Sequence, residues 1–401
     1  MKYLKTLFFT FLIVAFAVVA FAQTSPLFRT LHTFDGTDGV YPWATLVQAQ
    51  DGNFYGTTQR GGDTSCPSGC GVIFKITPGG AFSVLFRFNK TNGYYLRAGL
   101  AVGADGALYG VTFYGGNTAA CLPIGCGTIF KITLAGELTT LYKFDHDTGA
   151  GPLGTLVLAT DGNLYGNTSY GGDPFLNQNA GTIFKISSGG VFTVLHSFTF
   201  TEGCCAHSAL IQAKDGNFYG TEWAGGVYSH GTIYKISPNG IFTLLYFFNG
   251  KDGSHPFAGL MQNVDGNFYG TTEEGGAYSY GTTFKLTPEG ALTILYSFKG
   301  GADGNTPTSE LLRGKDGNLY GTASYGGIHP NFGTIYRMTT LGVLTTLYNF
   351  NSGDGAYPYG GLAPGINGSL YGATFAGGPP RDACPFGCGT LYRLAIANGT
   401  P

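Results

Sequence analysis

Charge is what this sequence has least of. Lys, Arg, Asp and Glu make up 11% of its 401 residues, against about 25% in an average soluble domain. The 21 basic side chains are offset by 23 acidic ones, so there is neither the basic field that nucleic acids require nor an acidic tail, and DNA and RNA are not expected partners. Beyond the N-terminus no stretch approaches the roughly 20 uninterrupted apolar residues of a membrane-spanning helix. A 3.6-residue periodicity is missing as well, which excludes a helical solenoid. No Gly-x-Ser-x-Gly elbow, P-loop, His-Glu-x-x-His or dinucleotide fingerprint occurs, and no cofactor is expected. The Asp-Gly clusters at Asp35, Asp38, Asp145, Asp147 and Asp252 fall short of an EF-hand ligand set, and no metal is expected.

What is abundant is glycine, 68 residues, with 15% aromatics and 43% hydrophobic residues overall. That much apolar material suits a packed core, and no Gly-X-Y period suggests collagen. The N-terminus reads as an export signal, because Lys2 and Lys5 precede an apolar run from Leu7 to Phe21 that ends Ala20-Phe21-Ala22. Residues 1–22 are then the signal and 23–401 a single domain beginning at Gln23. No Cys sits at the cleavage point, so a lipoprotein anchor is not expected. A secreted, periplasmic or envelope location follows, as a monomer without stable membrane insertion. An uncleaved signal anchor is the alternative.

The hexapeptide Asp-Gly-Asn-Phe/Leu-Tyr-Gly starts at Asp51, Asp161, Asp215, Asp265 and Asp316, with degenerate copies at Asp105 and Asn367. A second signature, of the type Gly-Thr-Ile-Phe-Lys-Ile, begins at Gly71, Gly127, Gly181, Gly231, Gly281, Gly333 and Gly389. A third, Leu-Thr-Thr-Leu-Tyr-x-Phe, ends at Phe34, Phe88, Phe144, Phe198, Phe248, Phe298 and Phe350. The third follows the second across a short turn, except that its first copy has no partner before it and the last second signature has none after it. With the short apolar run before each Asp-Gly turn, every unit of roughly 50 residues holds four short strands, which is one propeller blade. The expected fold is all-β: a seven-bladed β-propeller of four-stranded blades, its ring sealed by the N-terminal strand completing the last blade.

The array resembles the tandem-repeat family of GloVer-containing proteins, exported bacterial proteins with varied C-terminal anchors. It is more distantly similar to NHL-type propellers, whose strands carry an Asp-x-Gly-Asn-hydrophobic-Tyr core. The resemblance covers residues 27–394 and implies a fold and an exported location, without an agreed activity or catalytic residues. It departs in one respect: no C-terminal anchor follows the last strand before Pro401.

Comparing the seven units separates packing positions from free ones. Tyr55, Tyr109, Tyr165, Tyr219, Tyr269, Tyr320 and Tyr371 fill one position, and Lys75, Lys131, Lys185, Lys235, Lys285, Arg337 and Arg393 another; both read as structural. An ion pair between each hexapeptide Asp and the basic residue is one expectation. The other is that each Asp caps its own turn through an Asx hydrogen bond.

Topology puts the long, variable connections on the opposite face, where function on a scaffold of this kind is sought. Three residues before each first-strand Leu stand Trp43, Arg97, Leu153, His207, Phe257, Thr308 and Tyr359, each followed by Ala, Gly or Ser. These side chains are expected to ring the mouth of the central channel, to bind or simply to plug it. After the second strand come further free positions, among them Tyr114, Tyr170, Trp223, Tyr325 and the pair Glu273-Glu274. Aromatic planes among polar groups suit the apolar faces of sugars, so a glycan or cell-surface polymer is the leading expected partner. Catalysis by Glu222 with Glu273 or Glu310, assisted by His207, is the alternative, and a protein-interaction scaffold a third.

Export implies an oxidising compartment. Cys66/Cys70, Cys121/Cys126 and Cys384/Cys388 occupy equivalent loops of consecutive blades and are expected to form local disulfides. Adjacent Cys204 and Cys205, just before His207, are expected to form a vicinal disulfide, with free thiols or a soft-metal site as alternatives.

Overall fold

The computed structural model describes residues 27–172, 174–175, 178–329 and 331–396; the expected signal segment lies outside them. Among these residues there are 29 strands and no helix. They form seven antiparallel sheets arranged as blades, each running from a two-residue innermost strand to a six- or seven-residue outermost one. Blade four is representative, with strands Ile211–Gln212, Phe218–Glu222, Thr232–Ile236 and Phe242–Phe247. Blade seven is built from Ala363–Pro364, Ser369–Thr374 and Thr390–Ala395, and its outermost strand is the N-terminal Leu27–Thr33. That strand pairs antiparallel from Leu27↔Ala395 to Thr33↔Thr390, so the two ends of the chain close the ring as the orphan signatures predict.

Alternation along the strands explains the repeats. Phe54, Tyr55, Gly56 and Thr57 pair with Ile76, Lys75, Phe74 and Ile73. A Cβ on Gly56 would lie 2.5 Å from the Phe74 ring and 2.7 Å from Leu46, so this glycine is required by close approach rather than by a turn. Seven buried clusters hold the blades together, and they lie between sheets: Phe54, Phe74 and Ile76 of blade one pack with Tyr371 and Leu391 of blade seven. The invariant tyrosines belong to these contacts. Tyr165 stacks on Phe218 of the next blade at 3.9 Å, Tyr219 on Phe268 at 4.1 Å and Tyr371 on Phe54 at 4.2 Å.

The hydroxyl of each such tyrosine turns back to its own hexapeptide. Tyr55, Tyr109, Tyr165, Tyr219, Tyr269 and Tyr320 donate to the hexapeptide Asp at 2.8–3.0 Å. The other carboxylate oxygen accepts the backbone N–H two residues on, as at Asn53 to Asp51, 3.1 Å. Capping is therefore the general arrangement, and the expected ion pair in six blades is corrected. Of the six hexapeptide Asp residues only Asp105 comes within salt-bridge distance of its blade's basic residue, Lys131, at 2.6 Å. The reason is local. In the other five blades the hexapeptide Asn side chain donates to the same carboxylate oxygen as the tyrosine, at 2.7–3.0 Å. Blade two has Ala107 instead, and Lys131 takes the vacancy.

Partial burial pushes the Asp51 and Asp215 carboxyls up, but hydrogen bonds from Asn and Tyr outweigh it and hold both below the usual range. A depressed folded-state pKa stabilises above the unfolded value and is lost as pH falls through the folded one. Blade seven lacks this carboxylate: Asn367 instead donates to the Tyr371 hydroxyl at 2.8 Å. Asn367→Asp should therefore raise stability by about 1 kcal/mol at pH 7. Thermal unfolding should show the gain at pH 7 and its loss near pH 3.

Candidate functional site

The connection from each blade to the next carries a backbone feature that residue types alone do not announce. Tyr41, Tyr95, Gly151, Cys205, His255, Thr306 and Tyr357 occupy one position in the seven units, and all have φ between +56° and +68°. Six of the seven are not glycine, although bulky residues adopt this left-handed conformation only at a cost. Two backbone bonds hold it. The N–H of Tyr41, Tyr95, Gly151, His255, Thr306 and Tyr357 reaches a carbonyl in the loop of the preceding blade, at Cys388, Cys70, Cys126, His230, Tyr280 and Phe332. The carbonyl of Tyr95, Gly151, His255, Thr306 and Tyr357 accepts the N–H that follows the second strand.

Three of those acceptors are disulfide cysteines. Cys66–Cys70, Cys121–Cys126 and Cys384–Cys388 are bonded as expected, and each braces the left-handed residue of the following blade. Cys204 and Cys205 carry no disulfide here; their Sγ atoms lie 2.7 Å apart, closer than unbonded sulfurs pack, so the vicinal bond stands as an expectation. The φ of Cys205, +68°, is the value all seven units share, so the repeat sets this backbone rather than a sulfur bridge.

Two residues beyond each left-handed position lies the ring at the channel mouth. Trp43, Arg97, Leu153, His207, Phe257, Thr308 and Tyr359 line one cavity of about 90 Å³. Below it a lumen of about 460 Å³ runs past Thr45, Thr155, Ala209 and Glu310. The mouth is crowded. Trp43 stacks on Tyr359 at 4.3 Å and carries the Arg97 guanidinium 3.8 Å from its ring centre. A parallel ring and a guanidinium at those distances cannot share one side, so both faces of the indole are covered. Trp43 is thus a platform for Arg97 and presents no free face for a sugar. It also reaches Phe257, 6.4 Å away on a non-adjacent blade.

Around this ring stand the residues that follow the second strands. The Tyr325 and Tyr359 hydroxyls are 2.7 Å apart. Trp223 lies between His207, at 5.4 Å, and His255, at 4.4 Å, and its indole N–H donates to Glu273 at 3.1 Å. His255 in turn contacts Glu274 at 3.2 Å. Tyr114 and Tyr170 border a groove of about 430 Å³ with Phe113, Leu122 and Ile124, and Tyr170 is 41% exposed.

The three candidate carboxyls stand in different surroundings. Glu222 ends the second strand of blade four and is completely buried. Both its oxygens lack hydrogen-bond partners, and burial with the neighbouring Cys205 thiol pushes it well above the usual carboxyl range. Glu273 sits at the mouth, raised by burial against the hydrogen bond from Trp223. Glu310 projects into the lumen, open to channel water but ringed by protein, which pushes its carboxyl up to about 7. No charged neighbour of any one of them is another of the three. His207 is neutral: burial, Arg97 and His255 hold it down to about 3. Among the described residues no three His, Cys, Asp or Glu side chains converge as a metal requires.

At the position of Glu222 most blades have Thr, which bonds the facing third-strand Thr, as Thr168 does to Thr182 at 3.0 Å. Glu222→Thr should stabilise the protein by about 1–3 kcal/mol by removing a buried unpartnered group. Because Glu222 is raised in the folded state, the wild type loses stability as pH rises above the unfolded value of about 4.3. Chemical denaturation should find the gap between the two proteins wider at pH 8 than at pH 5.

Comparison with known proteins agrees with this architecture. The chain is similar to virginiamycin B lyase from Staphylococcus aureus, 14% identical with a TM-score of 0.58 over 92% of this chain and 100% of that one. It is similar to the extracellular domain of a putative one-component system from B. thetaiotaomicron, 13% identical with a TM-score of 0.57 over 94% of this chain and 42% of that one. A putative 6-phosphogluconolactonase from Bacteroides uniformis follows at 14% identity and a TM-score of 0.50, over 75% and 83%. At such identities the likeness is one of fold. No curated protein matches the chain. The Gloeobacter/Verrucomicrobia repeat matches residues 17–222 and 206–401, and the chain belongs to that repeat family.

Proposed function

We propose that this protein is an exported glycan-binding module whose ligand lies on the loop face, across the channel mouth and the groove beside it. The observation that carries the reading is the group of aromatic side chains Phe113, Tyr114 and Tyr170 in the groove beside the mouth, gathered on the one face built from variable connections. Sugars bind such surfaces by stacking apolar C–H faces on rings while nearby polar groups fix orientation. Three formed disulfides and the extracellular origin of one structural neighbour support export. A second reading rests on the position of Glu310, which lines both the mouth cavity and the lumen beneath it and is placed to exchange a proton with a bound substrate.

A glycan array and polysaccharide pulldown, with the same wells assayed for released reducing ends, tests both. Binding without release, weakened about tenfold or more by Tyr170→Ala, is the expected result. Release abolished by Glu310→Gln would move the protein to the enzymes, and silence in both assays would leave the loop face to a protein partner.

A further inference from the structure

We propose that Arg97 anchors a carboxylate of an acidic, hexuronate-bearing glycan, an assignment that rests on the glycan-binding reading and narrows its ligand. The guanidinium is half-buried at the mouth and held by Trp43, 3.8 Å beneath it. It makes no hydrogen bond or ion pair with any described residue, and its Nε is buried without a partner. A cation taken out of water without a counter-charge is costly, and among the described residues the guanidinium N–H donors find no acceptor.

The polar groups that face it are hydroxyls and neutral rings. Tyr95, Tyr114, Tyr170 and Tyr359 lie within electrostatic reach of the guanidinium, and the neighbouring His207 is uncharged at neutral pH. Glu273 is the carboxylate whose field reaches it, and Trp223 already donates to that side chain. Arg97 is therefore an oriented positive charge, backed by an indole, with its pairing edge left to an incoming group. A planar carboxylate matches that edge with two parallel hydrogen bonds.

The surroundings favour a sugar acid. Tyr170 and the groove of Phe113 and Tyr114 offer apolar planes beside the charge, as a pyranose ring needs. A second cation, Arg60, lies over Tyr95 at 5.9 Å on the same arc. A polymer with a carboxylate on each sugar presents both features at once: flat apolar faces and regularly repeated negative charge.

The test is calorimetric titration of the folded, disulfide-bonded protein with four probes: a hexuronate oligosaccharide, the same oligosaccharide after reduction of its carboxyls to alcohols, a sulfated neutral oligosaccharide and oligoglutamate. The hexuronate should bind, and carboxyl reduction should weaken it at least about tenfold, as the loss of a charge-assisted bidentate contact requires. Arg97→Gln should show the same loss and Arg97→Lys a smaller one. Comparing the two sugars on the wild-type protein decides the matter even if a variant misfolds. Equal affinity for the hexuronate and its reduced form, unchanged in Arg97→Gln, would overturn the anchor and leave the glycan reading standing. Preference for the sulfated sugar or for oligoglutamate would overturn the ligand class. Binding of no sugar at all would overturn both readings.

Discussion

Everything on the loop face depends on a ring that closes, and one strand closes it. Leu27–Thr33 reaches blade seven from the other end of the chain and supplies its outermost strand. The buried clusters lie between blades, so no blade has a complete core of its own. Blade one packs against blade seven only because the N-terminal strand brings the chain ends together. Closure also leaves short sheet edges, the arrangement that limits edge-to-edge association.

The two faces of this ring are governed by different chemistry. On the hexapeptide face one network of Asp, Asn and Tyr repeats in five blades and varies only where a partner is missing, at Ala107 and Asn367. On the loop face the repeated element is the backbone alone. Seven left-handed residues, six of them tied by a backbone bond to the blade before, fix where the mouth side chains start, while the side chains themselves differ in every unit. Three disulfides brace these ties for Tyr41, Tyr95 and Gly151, the blades around Trp43 and Arg97. Strain of this kind persists only where the surroundings over-determine it, and it concentrates at ligand-binding positions.

The repeats made the blades, their number and their closure legible in the sequence, because packing positions recur with the blade and a strand's alternation is visible residue by residue. The mouth ring was legible for the same reason: a varied residue with a constant small neighbour marks Trp43, Arg97 and His207 as pointing where nothing packs. The left-handed ring was not. Only Gly151 advertises positive φ; at four of the other six positions the one hint is Pro two residues before the first-strand small residue, at Pro42, Pro256, Pro307 and Pro358, which disfavours a helical predecessor, and Tyr95 and Cys205 lack even that. Distances between blades were also beyond reach. The covering of both Trp43 faces, the differing surroundings of Glu222, Glu273 and Glu310, and the burial of Glu222 depend on how neighbouring units meet, which no repeat spacing encodes.

These features describe a closed ring that presents a few irregular side chains at one opening, with Arg97 unpaired among the described residues. The central claim is that this opening, and not the more regular opposite face, receives the ligand. Hydrogen–deuterium exchange of the protein with and without a hexuronate oligosaccharide tests it most directly. Protection confined to the connections carrying Tyr95, Arg97, Tyr114 and Tyr170 is the result this account predicts. Protection of the hexapeptide turns from Asp51 to Asn367, with the mouth connections unchanged, would contradict it.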